Sequence, residues 1–172
     1  MSGPIQRRDT VLPATPAKGK GRAERLGHET TEFLAFELAA ETFALPLGSI
    51  REILKVAPIT EVPRAGRDVL GILSVRGRIT TVIDLRRRLR MAPQEPDKNG
   101  RILLVDGGDE ILGLLVDRVF QVYRLQEEEL ELAAAVAGEL SDYVHGIGRP
   151  HVEEGEPEEI MILLDPEPLL RR

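Results

Sequence analysis

The 172-residue chain predicts an all-β protein, mainly strand with short helices, folded as two small, partly closed barrels. Three observations lead there. The chain nearly repeats itself: shifted by 69 positions, Phe33-Leu34-Ala35-Phe36-Glu37 lies over Ile102-Leu103-Leu104-Val105-Asp106. In the same register Glu41 falls on Glu110, Phe43 on Leu112, Leu45 on Leu114, Leu47 on Val116, Ile50 on Val119, Ile53 on Val122 and Val56 on Leu125. A second echo pairs Gly71-Ile72 with Gly146-Ile147, and Ile79–Asp84 (ITTVID) with Ile160–Asp165 (IMILLD). Apolar positions and acidic turn residues match while surface letters do not, as in two copies of one supersecondary unit. Next, about ten short strand-like runs alternate with turn signals, and helical insertions are few. Finally, aromatics make up 3% of the chain and tryptophan is absent, so the core must be built from Val, Ile and Leu. Barrel closure is the packing that removes exposed sheet edges. Such a duplicated unit makes two similar surfaces and a seam, which suits holding partners together better than running a reaction.

Residues 1–30 read as a disordered N-terminal tail: Pro4, Pro13, Pro16, the basic run Lys18-Gly19-Lys20-Gly21-Arg22 and few apolar residues cannot bury enough surface to offset ordering entropy. Structure is expected over 31–170. Phe33–Leu38 is a strand by alternation, Ala39–Glu41 a turn and Thr42–Leu47 the returning strand, with Pro46 at a strand end where no ladder donor is needed. Ile50, Ile53 and Leu54 stand at helical spacing and predict one inward-facing helical turn. Pro58 and Pro63 break up the next connection. Gly71–Val75 is a short strand, Arg76-Gly77 a tight turn and Ile79–Leu85 a buried, β-branched strand.

Arg86–Arg90 predicts a short helix, and Met91–Gly100 the loop linking the halves. The second copy runs Arg101–Asp106, turn, Ile111–Val116, then Asp117–Leu125. Gln126–Ala135 is expected as a helix with an acidic start suited to the helix dipole. Tyr143–Ile147 and Glu158–Leu164 follow as strands around the loop Pro150–Pro157, and Pro166–Leu170 closes as one helical turn. The first barrel is thus placed mainly in 43–100 and the second mainly in 101–160, with terminal segments exchanged between them.

Composition narrows the function. With no cysteine in the chain, disulfides, thiolate metal sites and cysteine nucleophiles are excluded. No apolar run of about 18 residues occurs, so direct membrane insertion is not expected. Residues 126–172 carry three Lys/Arg against thirteen Asp/Glu, a field opposed to nucleic acid as the main partner. His145, His151 and Glu153 lack metal-ligand spacing. Gly146-Ile147-Gly148 lacks the third glycine and helix of a dinucleotide loop, and no P-loop, G-x-S-x-G or kinase motif occurs. Neither a metal nor a cofactor is expected. Asp84 and Asp165 end equivalent strands; paired acids are what glycosidases use, but Asp at a strand end also caps turns. The run Arg86-Arg87-Arg88 with Arg90 has no interleaved aromatics for base stacking and reads as a solvated face.

The runs FALPLGSIREILKV (Phe43–Val56), GILSVRGRITTVIDLRRRL (Gly71–Leu89), ILGLLVDRVFQVYRL (Ile111–Leu125) and YVHGIG (Tyr143–Gly148) together resemble the CheW-like chemotaxis coupling proteins. The resemblance covers roughly 31–170 and implies two SH3-like five-stranded β-barrels around a hydrophobic seam. It also implies a non-enzymatic adaptor, cytoplasmic, at receptor arrays on the inner face of the membrane or in the cytosol. Its partners would be the regulatory domain of a CheA-type histidine kinase and the cytoplasmic tip of a methyl-accepting chemoreceptor.

The family turn Asn-Leu-Arg-Gly stands here as Ser74-Val75-Arg76-Gly77. The resemblance implies a coupling role for Arg76 with Gly77, and for Glu52 on the same surface. Physically, an Arg on a tight turn offers a fixed fork of donors and could pair with Glu52. The family's barrel-end interfaces point to Ile50 and Ile53 in one barrel and Val119 and Val122 in the other, although period alone also fits ordinary core. A receptor helix is expected near Arg76. A CheW-like scaffold of a non-chemotaxis pathway, serving surface motility or development, is the near alternative. A small ligand-binding or hydrolytic barrel using Asp84 and Asp165 is the distant one. Met1 and the end just after Leu170 lead to the expectation of a whole coupling protein rather than a domain fused to a receiver.

Overall fold

A computed structural model describes residues 29–132, 140 and 142–171. Among the described residues, eleven strands, two short α-helices and two 3-10 turns follow one another. The strands and helices are β1 (Thr31–Leu38), β2 (Glu41–Pro46), β3 (Ile50–Lys55), β4 (Val69–Val75), β5 (Arg78–Asp84), α1 (Leu85–Arg88), β6 (Arg101–Asp106), β7 (Ile111–Val116), β8 (Arg118–Leu125), β9 (Leu130–Leu132), β10 (Val144–Gly148), β11 (Met161–Leu164) and α2 (Pro166–Leu170). They form two sheets, in the orders β8-β1-β2-β11-β10-β9 and β3-β6-β7-β5-β4.

The repeat explains that order. The hairpin β1–β2 of the first copy pairs with β8 and β11 of the second. Reciprocally, the hairpin β6–β7 of the second copy pairs with β3 and β5 of the first. Each copy has therefore given its hairpin to the other's sheet. The expected division near residue 100 is not the division of the sheets: one sheet runs over 50–116, and the other takes 31–46 with 118–164. A hairpin leaves two open edges; those of β1–β2 are filled by β8 and β11 and those of β6–β7 by β3 and β5, which satisfies backbone groups that would otherwise stay unpaired.

Three hydrophobic clusters separate cleanly. Phe33, Ala35, Ala44, Leu125, Met161 and Leu163 fill the inside of the first sheet. Leu73, Val82, Ile102, Leu104 and Leu115 fill the inside of the second. The largest cluster, with Leu34, Phe36, Leu38, Phe43, Leu85, Leu103, Val105 and Leu169, is the seam between them. On β1 and β6 successive side chains go alternately to a barrel interior and to the seam, as the two-residue strand period demands. Both faces are covered, so these strands read as continuous apolar runs.

Each barrel closes over a glycine. A bulge falls between Val69 and Gly71, and another between Val144 and Gly146. Thr60 pairs with Ile72, and β9 pairs with β10. A Cβ at position 71 would lie 2.1 Å from the carbonyl oxygen of Thr60, and one at 146 would lie 2.4 Å from that of Glu131. The Gly-Ile echo in the sequence thus marks two equivalent points where backbone crosses close to backbone.

Several expectations are corrected. Residues 50–54 are strand, not a helical turn: the spacing of three apolar residues suited either, and the open edge of β6 selects strand. Over 126–135, Glu127–Glu129 is one 3-10 turn and Leu130–Leu132 is β9, while the remainder of that predicted helix lies outside the described residues. Ile79 is 68% exposed, though the run ITTVID reads as wholly buried. The strand predicted from Glu158 begins at Met161. The tail, apart from its last two residues, also lies outside the described residues.

Candidate functional site

The hairpin β4–β5 turns in two residues, with Val75 opposite Arg78. Arg76 and Gly77 both have positive φ, 49° and 80°, the requirement of a type I′ turn, whose twist matches the flanking strands. Nothing lies within 4 Å of a Cβ placed on Gly77, so its glycine serves backbone freedom, not space. An arginine at the first position of such a turn bears left-handed strain that Asn or Gly would avoid.

Arg76 is held by an ion pair. Its guanidinium Nη2 donates to Glu52 Oε1 at 2.7 Å. Glu52 sits on β3, which forms one edge of the second sheet, while Arg76 tips the hairpin whose strand β4 forms the other. The pair therefore spans the mouth of that barrel. The Arg76 side chain remains 78% exposed and Glu52 28%, so the pair is solvated and contributes at most about 1 kcal/mol. It orders a polar edge more than it stabilises the fold. Beside it, Arg51 on the β3 bulge binds Asp106. That hydrogen bond, followed by the Gly108 N–H, holds the Asp106 carboxyl below the usual carboxylate range.

The four apolar candidates divide into two kinds. Ile50 and Val119 pack against the seam and serve the core. Ile53 and Val122 are each 43% exposed and are available to a partner. The two pairs keep the equivalence seen in the sequence, one member inward and one outward on each of β3 and β8. The sequence reading missed Phe120, which is exposed next to Val122. An aromatic on a chain with four Phe and two Tyr is the signal that could have found it.

Asp84 and Asp165 are helix caps. Asp84 accepts from the Arg87 N–H and pairs with the Arg87 guanidinium at 3.1 Å. Asp165 accepts from the Glu167 N–H at 2.9 Å. Asp84 lines a cleft with Ile59, Leu70, Arg87 and Leu115 in which Asp165 takes no part. Both carboxylates are committed to backbone, and they do not face a common space as paired catalytic acids must. Among the described residues no group of three His, Asp or Glu gathers as a metal site requires, and the His151 N–H donates to Glu129. The run Arg86–Arg88 is not a solvated face. Arg86 is buried and chelates Asp117, whose carboxylate also accepts the Ala39 N–H. Arg88 pairs with Asp68.

The family model for the CheW-like domain matches residues 32–172. The chain belongs to the CheW-like family. It is 27% identical to the chemotaxis protein CheW of Helicobacter pylori over 75% of this chain and 78% of that one. It is 28% identical to protein PilI of Pseudomonas aeruginosa, over 66% of this chain and 65% of that one. In structure it resembles the scaffolding protein TtCheW of Thermoanaerobacter tengcongensis with a TM-score of 0.75 and 26% identity, covering 84% of this chain and 94% of that one. The CheW-like architecture of two SH3-like subdomains accounts for the two sheets and the seam. No helix among the described residues is long and apolar enough to cross a membrane.

Proposed function

We propose that this CheW-like chain is a non-enzymatic adaptor that joins the cytoplasmic tip of a methyl-accepting chemoreceptor to the regulatory domain of a CheA-type histidine kinase. It would work in the cytoplasm, at receptor arrays on the inner face of the membrane or in the cytosol. Family membership supports this reading, as do the names borne by its relatives. The observation that carries it to particular residues is the Arg76–Glu52 pair at the barrel mouth. A long cationic side chain is kept at a strained turn position where its ion pair adds little stability. Strain of that kind is retained where function needs the side chain.

Arg76, Gly77 and Glu52 would form the polar edge of the receptor and kinase surface. Ile53 and Val122 would be the apolar contacts of the two barrel ends, with Ile50 and Val119 supporting them from beneath. Two weak interfaces made at once raise the effective concentration of kinase at receptor, and the output is a shift in kinase populations rather than chemistry by this chain. The likeness to a relative named outside chemotaxis supports a second reading, the same scaffold in a surface-motility or developmental pathway.

The test is receptor-dependent kinase activation with Arg76→Glu beside Arg76→Asn. Both variants should fold, and both should lose coupling. Full coupling by a folded Arg76→Asn protein removes the assignment. Calorimetry against the kinase regulatory domain should show binding by the wild type, weakened in Val122→Asp.

A further inference from the structure

The barrel built on the sheet β8-β1-β2-β11-β10-β9 has a mouth finished differently from the one that carries Arg76. A cleft of about 690 Å3 opens there, floored by Phe120, Tyr123, Ile160 and Met161 and rimmed by Glu158 and Glu159. Phe120 and Ile160 are half exposed. The Tyr123 hydroxyl donates to Glu159, tying β8 to the loop before β11 much as Arg76 ties its hairpin to β3. That loop, 149–160, carries Glu153, Glu154, Glu156, Glu158 and Glu159 against one cation, Arg149. Arg149 is already spent on Glu158 and Glu131. The combination of exposed aromatic and aliphatic floor with a net acidic rim suits a segment with cationic heads on apolar stems.

We infer that this cleft is the seat of the chain's own basic arm, residues 18–25. Residues 1–28 carry six Lys/Arg against Asp9 and Glu24, a surplus that matches the loop's acidic excess. Reach also fits. β1 starts at Thr31 opposite Leu125, and the cleft runs from Tyr123, opposite Phe33, to Thr42, opposite Glu37, about 7 to 20 Å along the strand at ~3.3 Å per residue. Arg25 stands six residues before Thr31 and Lys18 thirteen, so their maximal extended reach of roughly 20 to 43 Å is enough to cover that distance. Lys20 or Arg22 would lie across Phe120 and Tyr123, with its charge toward Glu158 and Glu159. A tethered arm needs little intrinsic affinity, because the tether supplies a high effective concentration. Any partner of this face would then have to displace the arm, whereas the Arg76 mouth stays open.

The chain has no cysteine, so Gly19→Cys can carry a single nitroxide. In the full-length 15N-labelled chain at low salt, amide signals of Phe120, Gln121 and Ile160 should be lost to relaxation, while those of Glu52 and Arg76 remain. Signals should return with Glu158→Lys plus Glu159→Lys, with Lys18→Glu plus Lys20→Glu plus Arg22→Glu, and in about 1 M sodium chloride, where the Debye length is ~3 Å. Combining both charge reversals should restore the loss. Retained signal dispersion in each variant shows that it is folded. Equal loss at both mouths, or a loss indifferent to charge reversal, overturns the inference. So does the same loss in unlabelled 15N chain mixed with spin-labelled 14N chain, which would assign the cleft to a second copy's arm.

Discussion

The barrel around Leu73, Val82 and Ile102 closes its mouth with two residues, Arg76 and Gly77, and a solvated Arg–Glu pair. At the equivalent place, the barrel around Phe33, Ala44 and Met161 carries the twelve-residue loop 149–160 and a Tyr123–Glu159 hydrogen bond. Interiors and closing glycines are shared; rims are not. Packing density constrains the interior in both copies alike, while a rim faces solvent and is free to diverge toward different partners. Duplicated folds keep their symmetry where atoms crowd and lose it where they do not.

The largest expected effects lie at the closing glycines. Gly71→Ala and Gly146→Ala should each cost about 3 kcal/mol, because the clashing atoms are backbone and cannot move aside. Gly77→Ala should cost only about 1 kcal/mol, from its φ alone. Urea unfolding of the three variants checks this. A mild effect at 146 beside a large one at 71 would mean that the two closures are not equivalent.

Next come the paired apolar positions. Ile50→Asp and Val119→Asp should lower stability by about 2 kcal/mol, since each places a carboxylate against the seam. Ile53→Asp and Val122→Asp should change it by less than about 0.5 kcal/mol. Thermal melts that fail to separate the inner pair from the outer pair would dissolve the division into core and contact residues.

A smaller effect concerns the turn. Arg76→Asn should unfold at the same denaturant concentration as wild type or slightly higher, because relief of about 1 kcal/mol of left-handed strain offsets the lost ion pair. A clear loss of stability would show that the pair matters to the fold rather than to a partner.

The smallest effect is spectroscopic. Partial burial first, and then the Glu159 carboxylate, push the Tyr123 phenol above its ordinary range. In a Tyr143→Phe background, ultraviolet titration should place Tyr123 above the ordinary tyrosine range, and Glu159→Gln should bring it down. Because the folded value is the higher one, any stability from this group is complete below the unfolded value and is lost as pH rises through the folded one. An unchanged titration in Glu159→Gln would detach the loop from β8.

Much of this protein could be read from residue order alone. The shift of 69 positions revealed two copies, and β-branched and aliphatic runs marked nearly every strand, because a strand between two cores must be apolar on both faces. Arg76-Gly77 announced its turn; the resemblance put Glu52 on the same surface, and the donor fork of an arginine suggested their pairing. Other features were settled only in three dimensions. Periodicity could not say whether Ile50, Ile53 and Leu54 make a helical turn or an edge strand, since the deciding factor was an unfilled edge on β6, some fifty residues away. Nor could it separate Ile53 from Ile50, or expose Ile79, because burial depends on which neighbours arrive from the other copy. The exchange of hairpins is itself a long-range outcome: local propensity forms each hairpin equally well in either sheet, and the seam chooses by burying both copies at once.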